Sequence, residues 1–372
     1  MTDPRIENIR AAAREVGADW ALLTAPDSCA YAGHVAGIET GPSPFDGGPT
    51  AVLVGEGMFV TCNELEAALA PKGAEVFAYE SLGFSDLTPL PGKYAAALAR
   101  MLGRAGVRGT VAIEAATCPA AAAGLIAERG EARAFDGPLA RARAIKGAAE
   151  VAALRRCAEA TAAGHAAVPG ALRDGVAELR AWREVRLAME MAAGTRIPVA
   201  GDFVSGRERT AAIGGPATDR MMRVGDPVIA DLAPRIDGYW GDSATTTVIG
   251  EPSAALAEMY RRTVEIMDRV RETLRPGITG HDFDAPLRTM VAAAGYANPV
   301  HMGHGIGTSV HEWPRLVPGQ EAVLAPGMVL MVEPGCYHPE VGGVRVEQMF
   351  LMTEDGHEVL SPFDIPAEMP RA

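Results

Sequence analysis

Apolar and polar positions repeat with two periods along this chain, and these periods predict where helices and strands form. In the first 140 residues they predict helices at 6–16 and 94–102 and strands at 20–23, 50–54, 58–60 and 110–113. The two middle strands are separated by Gly-Glu-Gly, which predicts a hairpin. Residues 27–33 are predicted to form a loop. The alternation predicts a small α/β domain with a layered sheet.

The pattern changes near residues 135–146, where Asp136-Gly137-Pro138 has turn chemistry. We therefore predict domains at 1–140 and 141–372. Ala-rich helices follow the turn to about Ala193. Beyond them, strands are predicted at 228–231, 241–248, 329–333 and 344–352, and helices at 259–274 and 283–294. The second domain is predicted to be α+β, with its helices segregated from an antiparallel sheet.

Composition narrows the class of protein. The 372 residues are 48% hydrophobic and 22% charged, which favours two packed domains over disorder. A net charge of −13 disfavours nucleic-acid binding, which needs a basic face. The five cysteines are scattered without a CxxC spacing, so a reducing compartment is expected. No signal-peptide or membrane-spanning pattern is present, and we expect a cytoplasmic protein that binds neither nucleic acid nor membrane.

Two aspartates flank a predicted turn in the segment 228–248. A symmetric hairpin centred on residues 235–238 pairs positions whose numbers add to 473, and so places Asp231 opposite Asp242. Like charges in directly opposed positions are destabilising unless something binds between them. This arrangement predicts a cation.

Two glutamates repeat the arrangement in the segment 329–352. A loop centred on Glu340 places Glu333 opposite Glu347, and both lie within predicted apolar strands, where an unpaired charge is costly. His304 lies among glycines, which allow close backbone approach. His301 precedes it by three positions and His311 follows by seven. Oxygen-rich ligation with one imidazole suits Mn²⁺, Fe²⁺, Co²⁺ or Zn²⁺.

These segments resemble the pita-bread (M24) family of metallopeptidases, in its Xaa-Pro peptidase and creatinase-like branch. The similar segments are DLAPRIDGYWGDSATTT, GHGIGTSVHEWP, APGMVLMVEPGCYHPEVGGVRVEQ and IKGAAEVAALRRCAEA. The resemblance covers nearly all of 140–360. It implies a C-terminal pita-bread (creatinase/aminopeptidase) domain after a smaller creatinase-type N-terminal α/β domain. The N-terminal likeness is loose and depends on DSCAYAGHVAG, residues 27–37.

The resemblance also implies roles for individual residues. Asp231 would bind one of two divalent metal ions, Asp242 and Glu347 would bridge both, and His304 and Glu333 would complete the second. Manganese is the expected metal, with cobalt, zinc and iron as alternatives. As catalytic residues, Glu333 would move a proton and His311 would stabilise the transition state. The implied activity is cleavage of an Xaa-Pro amide bond in a short peptide, by a homodimer.

One departure from the family pattern leaves alternatives open. Gly214 stands where proline-directed members carry a histidine that positions substrate or moves a proton. Substrate-binding roles are predicted for His301, which could compensate, and for Arg345, Trp240 and Trp313. The first alternative is a metal-dependent hydrolase or lyase for a small non-peptide amide, amidine or zwitterion. The second is a non-catalytic binding module, which the five intact ligand positions disfavour.

Overall fold

The computed structural model describes residues 3–35, 49–81 and 88–372. The chain separates into two compact units, Met1–Arg143 and Ala144–Ala372. Residues 36 and 37 of the DSCAYAGHVAG segment lie outside the described residues. None of the described helices is long and apolar enough to cross a membrane.

The first unit is built on a mixed six-stranded sheet in the order β4-β3-β2-β1-β5-β6. Its strands are β1 (Trp20–Leu23), β2 (Ala51–Val54), β3 (Met58–Asn63), β4 (Glu75–Tyr79), β5 (Gly109–Ile113) and β6 (Gly130–Ala134). Its helices are α1 (Pro4–Glu15), α2 (Pro26–Tyr31), α3 (Leu90–Ala105), α4 (Ala120–Ala127) and α5 (Asp136–Ala144). Alternate strand residues enter different cores, Leu23 with α1 and Leu22 with α3. The predicted layered α/β domain and the β2–β3 hairpin are confirmed.

The loop predicted at 27–33 is wrong, because residues 26–31 form the short helix α2. Pro26 supplies a fixed φ for the first turn. Glu114, distant in sequence, accepts the Thr24 and Ala25 N–H groups and the Ser28 hydroxyl. The helix therefore depends on a tertiary hydrogen-bond acceptor that local sequence does not reveal.

The second unit combines antiparallel ladders with pairs of helices. Its helices are α6 (Ala148–Ala171), α7 (Glu178–Ala193), α8 (Arg207–Ala211), α9 (Ala254–Thr273) and α10 (Gly280–Ala293). Its strands are β7 (Val199–Ala200), β8 (Phe203–Ser205), β9 (Pro227–Asp231), β10 (Ala233–Ile236), β11 (Tyr239–Trp240), β12 (Ala244–Val248), β13 (Gly303–Gly305), β14 (Glu312–Leu316), β15 (Val329–Val332), β16 (Gly335–His338), β17 (Gly342–Arg345), β18 (Gln348–Met352) and β19 (His357–Val359). The sheets are ordered β14-β13-β15-β18-β19, β12-β9-β8, β11-β10-β7 and β16-β17. The predicted α+β architecture is confirmed.

Helices cover this unit by burying amphipathic faces. In α6, a Cβ at Gly164 would lie 2.8 Å from Leu232 Cδ1 and 2.9 Å from Met189 Cγ, so glycine permits close packing there. Helix α9 begins at the Ser253 cap, whose hydroxyl accepts the Leu256 N–H at 3.1 Å. Its apolar face then packs with the strands in a core that includes Met267. This packing fixes the strands whose ends carry the polar site.

The register predicted for the two aspartates is wrong by two residues. Asp231 pairs with Ala244, and Ile236 pairs with Tyr239, so paired numbers add to 475. The turn is Asp237-Gly238, and both residues have positive φ, 50° and 84°. These angles are typical of the two-residue turn whose twist suits a hairpin. Because side chains alternate with period two, this slip leaves Asp242 on the expected face.

The register predicted for the two glutamates is confirmed. Gly335 pairs with Arg345 in β16–β17, and Val332 pairs with Gln348 in β15–β18, so both ladders add to 680. Glu333 and Glu347 lie between these ladders in the same register. Ladders on both sides therefore hold the glutamates opposite each other.

Candidate metal centre

Each acidic or imidazole side chain of the predicted centre lies at or beside the end of a strand. Asp231 ends β9, and Asp242 precedes β12 by two residues. His304 lies in the short strand β13, which pairs with β15. Glu333 follows β15, and Glu347 lies between β17 and β18. Antiparallel neighbours thus bring residues that are more than 100 positions apart in sequence into one cluster.

The ligand atoms of these residues converge in two overlapping groups. One contains Asp231, Asp242 and Glu347, and the other contains His304, Glu333 and Glu347. Within each group the candidate ligand atoms lie within 4.8 Å of one another. His304 Nε2 is 3.6 Å from Asp242 Oδ2 and 3.6 Å from Glu333 Oε1. The structure therefore brings together the five residues that the sequence singled out.

Hydrogen bonding at His304 indicates what the cluster lacks. Its Nδ1 lies 2.9 Å from the Gly305 carbonyl oxygen, which can only accept, so Nδ1 carries the proton. Nε2 then directs a lone pair at two carboxylates. Among the described residues, no donor reaches the buried Glu347 Oε2. Buried acceptors that face one another need protons or cations between them, and this donor set fits divalent metal ions.

Burial makes the metal-free carboxylates hold protons. Burial is the largest cause that raises the pKa of Asp242 well above its usual range, and the charges of Asp231 and Glu333 raise it further. Burial, followed by the charge of Asp242, does the same for the pKa of Glu347. Burial raises the pKa of Glu333 to about 8. Burial also lowers the pKa of His304 to about 3, so its ring is neutral and available as a ligand.

Arg345 is the buried cation beside this cluster. It forms ion pairs with Asp231 and, through Nη1 at 3.1 Å, with Asp202 Oδ2. Its Nε donates to the Tyr337 hydroxyl at 3.1 Å, and Nη2 donates to the Ile213 carbonyl. The predicted contact with the ligand network is made on the aspartate side. The Arg345 guanidinium therefore connects Asp231 at the end of β9 to Asp202 and Ile213, which lie earlier in the chain.

Three imidazole rings line one side of the centre. The His304 and His311 ring centroids are 4.1 Å apart, and His301 stacks on His304 at 5.3 Å. His301 Nε2 also lies 3.2 Å from Glu333 Oε1. Burial lowers the pKa of His301 to about 4 and that of His311 below its usual value. Both rings are therefore neutral near pH 7 and able to donate one N–H.

A buried ion pair fixes the segment that carries His311. Lys146 Nζ lies 2.9 Å from Glu312 Oε2, and both side chains are almost inaccessible to solvent. Glu312 also accepts the Ser309 N–H at 3.2 Å. Since Glu312 adjoins His311, these bonds hold an exposed imidazole in place. Sequence reasoning missed this pair, because its partners are 166 positions apart.

A cleft of about 530 Å³ opens onto the centre. The predicted residues that line it are Asp231, Asp242, His301, His304, His311, Glu333, Arg345 and Glu347. Neither Trp240 nor Trp313 is among the described residues that line the cleft, so the substrate-binding roles predicted for them stay predictions. Trp240 lies under the Arg235 guanidinium at 5.3 Å, and Trp313 packs against the main core. Their flat apolar rings are used for packing.

Two charged residues were not predicted, Asp202 in the wall of the cleft and Arg315 on the strand paired with His304. Asp202 lines the cleft beside Gly214. Arg315 is exposed and pairs with His304 across β13–β14, and its charge contributes to the lowered pKa of His301 and His311. The sequence carried a signal for Arg315, since HEWPR continues the strand after His311. It carried none for Asp202.

We expect metal binding to release protons. At neutral pH the metal-free Glu333 carboxyl, whose pKa is about 8, holds a proton, and burial also raises the pKa values of Asp242 and Glu347. A bound cation replaces protons on these carboxyls, so affinity for Mn²⁺ should fall as the pH falls below 8. Calorimetric titration in two buffers with different ionisation enthalpies measures the release. Equal apparent binding enthalpies in both buffers, together with an affinity for Mn²⁺ that does not change between pH 6 and 8, would contradict this expectation.

Comparison with known proteins identifies the family. The profile of metallopeptidase family M24 matches residues 152–354, more than half of the chain. An Xaa-Pro dipeptidase of Pyrococcus horikoshii is 33% identical over 221 residues, 59% of this chain and 63% of the relative. A probable dipeptidase PepE of Mycobacterium tuberculosis is 37% identical over 59% of this chain and 58% of its own length. The chain thus spans about 60% of the length of these curated relatives in the matched region.

A solved structure extends the similarity to both units of the chain. The Xaa-Pro dipeptidase from Bacillus anthracis superimposes with a TM-score of 0.82 at 27% identity and covers 99% of each chain. The M24 profile spans Asp231, Asp242, His304, Glu333 and Glu347, the residues that converge in the centre. This chain belongs to metallopeptidase family M24.

Proposed function

We propose that this protein is a dinuclear metal-dependent Xaa-Pro dipeptidase. The observation that carries the proposal is the convergence of four carboxylates and His304 in two groups that share Glu347. The names of the similar proteins, Xaa-Pro dipeptidase and probable dipeptidase, favour this substrate class. The N-terminal unit would be the creatinase-type domain of 1–140, and 141–372 the catalytic domain.

We assign the metal ligands as follows. Asp231 would hold one ion, His304 and Glu333 the other, and Asp242 and Glu347 both. The overlap of the two ligand groups at Glu347, and the position of His304 Nε2 between Asp242 and Glu333, support this division. Mostly oxygen ligands with one imidazole favour Mn²⁺, with Co²⁺, Zn²⁺ and Fe²⁺ as alternatives.

When bound, two divalent ions polarise a carbonyl group and make hydroxide available near neutral pH. The chain's own residues would then direct the proton transfers. Glu333 takes and returns a proton, since it lies 3.2 Å from His301 Nε2 at the edge of the centre. His311 donates its N–H to the oxygen that gains negative charge. Alanine, valine and isoleucine side chains form the apolar part of the cleft wall around these groups.

Arg315 favours a dipeptide over a longer peptide. It is exposed beside the three histidines and forms no ion pair with any residue that the structure describes. A guanidinium is well shaped to bind a carboxylate with two hydrogen bonds. A dipeptide places its terminal carboxylate one residue beyond the cleaved amide, and a longer peptide places an uncharged amide there.

The activity is tested with metal-stripped protein reloaded with Mn²⁺, Co²⁺ or Zn²⁺. We expect metal-dependent release of the N-terminal residue from Xaa-Pro dipeptides, with slower cleavage of Xaa-Pro tripeptides. Xaa-Ala dipeptides serve as controls for proline preference. Two bound metals without cleavage of any peptide would reject the peptidase assignment and favour the alternative substrates, small amides, amidines or zwitterions. Failure to bind metal would favour a non-catalytic module.

Replacement of His311 should slow the reaction more than it weakens binding. We expect His311→Ala to lower kcat by about 10²–10³-fold, the usual effect of removing one transition-state hydrogen-bond donor. The fold should be unaffected, because this side chain is exposed. Steady-state kinetics on an Xaa-Pro dipeptide measure it, with the exposed His281→Ala as the matched control. An unchanged kcat with a raised KM would instead make His311 a binding residue.

We also propose that the protein acts as a homodimer in the cytoplasm. The five scattered cysteines all lie in the described part of the chain and form no disulfide there, which favours a reducing compartment. Sedimentation of the purified chain tests the dimer directly.

A further inference from the structure

We propose that Asp202 is a specificity-determining residue that binds the primary ammonium group of the substrate's N-terminal residue. This proposal rests on the dipeptidase function proposed above. It names the substrate group that the cleft wall carrying Asp202 selects. It follows from the way Asp202 and Gly214 share one volume.

Asp202 occupies the space that a side chain at position 214 would need. A Cβ built on Gly214 would lie 2.8 Å from Asp202 Cγ and overlap its carboxylate oxygens. The Asp202 side chain is short and held at both oxygens. Oδ1 accepts the Gly215 N–H at 2.9 Å, and Oδ2 accepts from Arg345 Nη1 at 3.1 Å. It cannot yield that space without losing these bonds, so any larger residue at 214 excludes it.

The backbone at Gly201 directs Asp202 to this place. Gly201 has a φ of +105°, and a Cβ there would lie 2.8 Å from the Asp231 carbonyl carbon. The Asp202 carbonyl accepts the Asp231 N–H at 2.8 Å. Asp202 is therefore fixed to the strand end that carries a metal-ligand candidate.

The carboxylate faces the cleft, and its cation lies behind it. The Asp202 side chain is 29% exposed, and that of Arg345 is 6% exposed. An approaching substrate therefore meets acceptor oxygens with spare lone pairs. The Arg345 guanidinium holds both Asp202 and Asp231, so Asp202 lies one side chain away from the reacting centre.

An ammonium group is the substrate feature that fits this wall. In a dipeptide, the amine lies two bonds from the carbonyl carbon that is attacked. His301 and His311 pack against the His304 ring, and neither side chain carries an anionic oxygen. Asp202 thus offers a charge-assisted hydrogen bond to a cation on its side of the cleft.

The test compares alanyl-proline with propionyl-proline, which has the same amide bond and no amine. Asp202→Asn keeps the shape and removes the charge. We expect it to lower kcat/KM for alanyl-proline by about 10- to 100-fold, as for a lost charge-assisted hydrogen bond. The value for propionyl-proline should change by less than about threefold. The matched control is Asp219→Asn on the loop after Gly214.

Equal losses on both compounds would overturn the proposal, because Asp202 would then act only by holding Arg345. No loss on either would overturn it as well. If the wild type cleaves neither compound, the dipeptidase function fails, and calorimetric binding of the same two compounds decides about Asp202. Tighter binding of alanyl-proline that Asp202→Asn removes supports the proposal. Equal binding of the two compounds rejects it.

A second measurement tests the shared volume itself. Gly214→Ala should lower the Tm by about 2–8 °C, because the new methyl group displaces the Asp202 carboxylate. In the Asp202→Ala background the same change should cost clearly less, since the space is then free. Equal Tm shifts in both backgrounds would show that Asp202 does not fill the space that a side chain at position 214 needs. The shared volume would then be rejected.

Discussion

Asp242→Asn and Glu347→Gln should each lower metal-dependent turnover by about 10³-fold or more. Both carboxylates are buried among other acceptors. Glu347 belongs to both groups of candidate ligand atoms described above, and Asp242 also lies in a third group with His304 and His311. Loss of a shared ligand removes several kcal/mol of transition-state charge stabilisation, and each 1.4 kcal/mol is about a factor of ten. Kinetics on an Xaa-Pro dipeptide, with metal content measured on the same samples, test this expectation. If either variant keeps a turnover within tenfold of wild type, the replaced residue is not a ligand of the metal centre.

The same Glu347→Gln change should stabilise the metal-free protein. Burial and repulsion raise the folded-state pKa of Glu347 well above its ordinary value of 4.5. The folded state therefore holds its proton more tightly than the unfolded state does, so the unfolding free energy falls as the pH rises above 4.5. Glutamine lacks that penalty. We expect a gain of about 1–3 kcal/mol at pH 8 and a smaller one at pH 5.

Denaturant unfolding of the chelated proteins at both pH values measures this gain. The exposed Glu354→Gln is the control, because its charge change lies away from the cluster. A lower stability of metal-free Glu347→Gln at pH 8 would show that the carboxylate makes favourable contacts without metal. The opposite signs of the effects on turnover and stability distinguish a ligand from a structural residue.

Arg345→Met should be the most destabilising single change near the centre. The buried guanidinium forms ion pairs with Asp202 and Asp231 and donates to Tyr337 and Ile213. Removing one partner of a buried pair leaves uncompensated charge and typically costs about 3–5 kcal/mol. Because methionine retains much of the side-chain volume, the loss reports on charge and hydrogen bonds. Urea unfolding of the metal-free protein provides the measurement.

Arg345→Lys is the matched control for charge. Lysine keeps the cation and cannot donate in four directions from a planar group, so an intermediate loss is expected. A loss below about 1 kcal/mol for Arg345→Met would mean that the neighbouring carboxylates take up protons at little cost. In that case the loss should grow with pH, which repeating the unfolding at pH 8 would reveal.

The sequence pattern predicted the register of the glutamate pair correctly, because the symmetric hairpin assumed for this segment and the observed strand pairing have the same register. Ladders before and after Glu333 and Glu347 have one register, so the hairpin centre at Glu340 determines both. The aspartate hairpin was displaced by two residues because its centre depends on backbone angles. Asp237 and Gly238 both adopt positive φ, a preference of the Asp-Gly pair that a symmetric count of residues ignores.

The sequence by itself determined the two fold classes and the five candidate ligands. These features depend on the period of apolar residues and on side-chain chemistry, which are local properties. Tertiary structure alone decided which groups share a volume. Asp202 fills the space above Gly214, Lys146 holds Glu312, and the two tryptophans pack away from the cleft. Such contacts arise from chain crossings between distant segments, which no periodicity within a segment encodes.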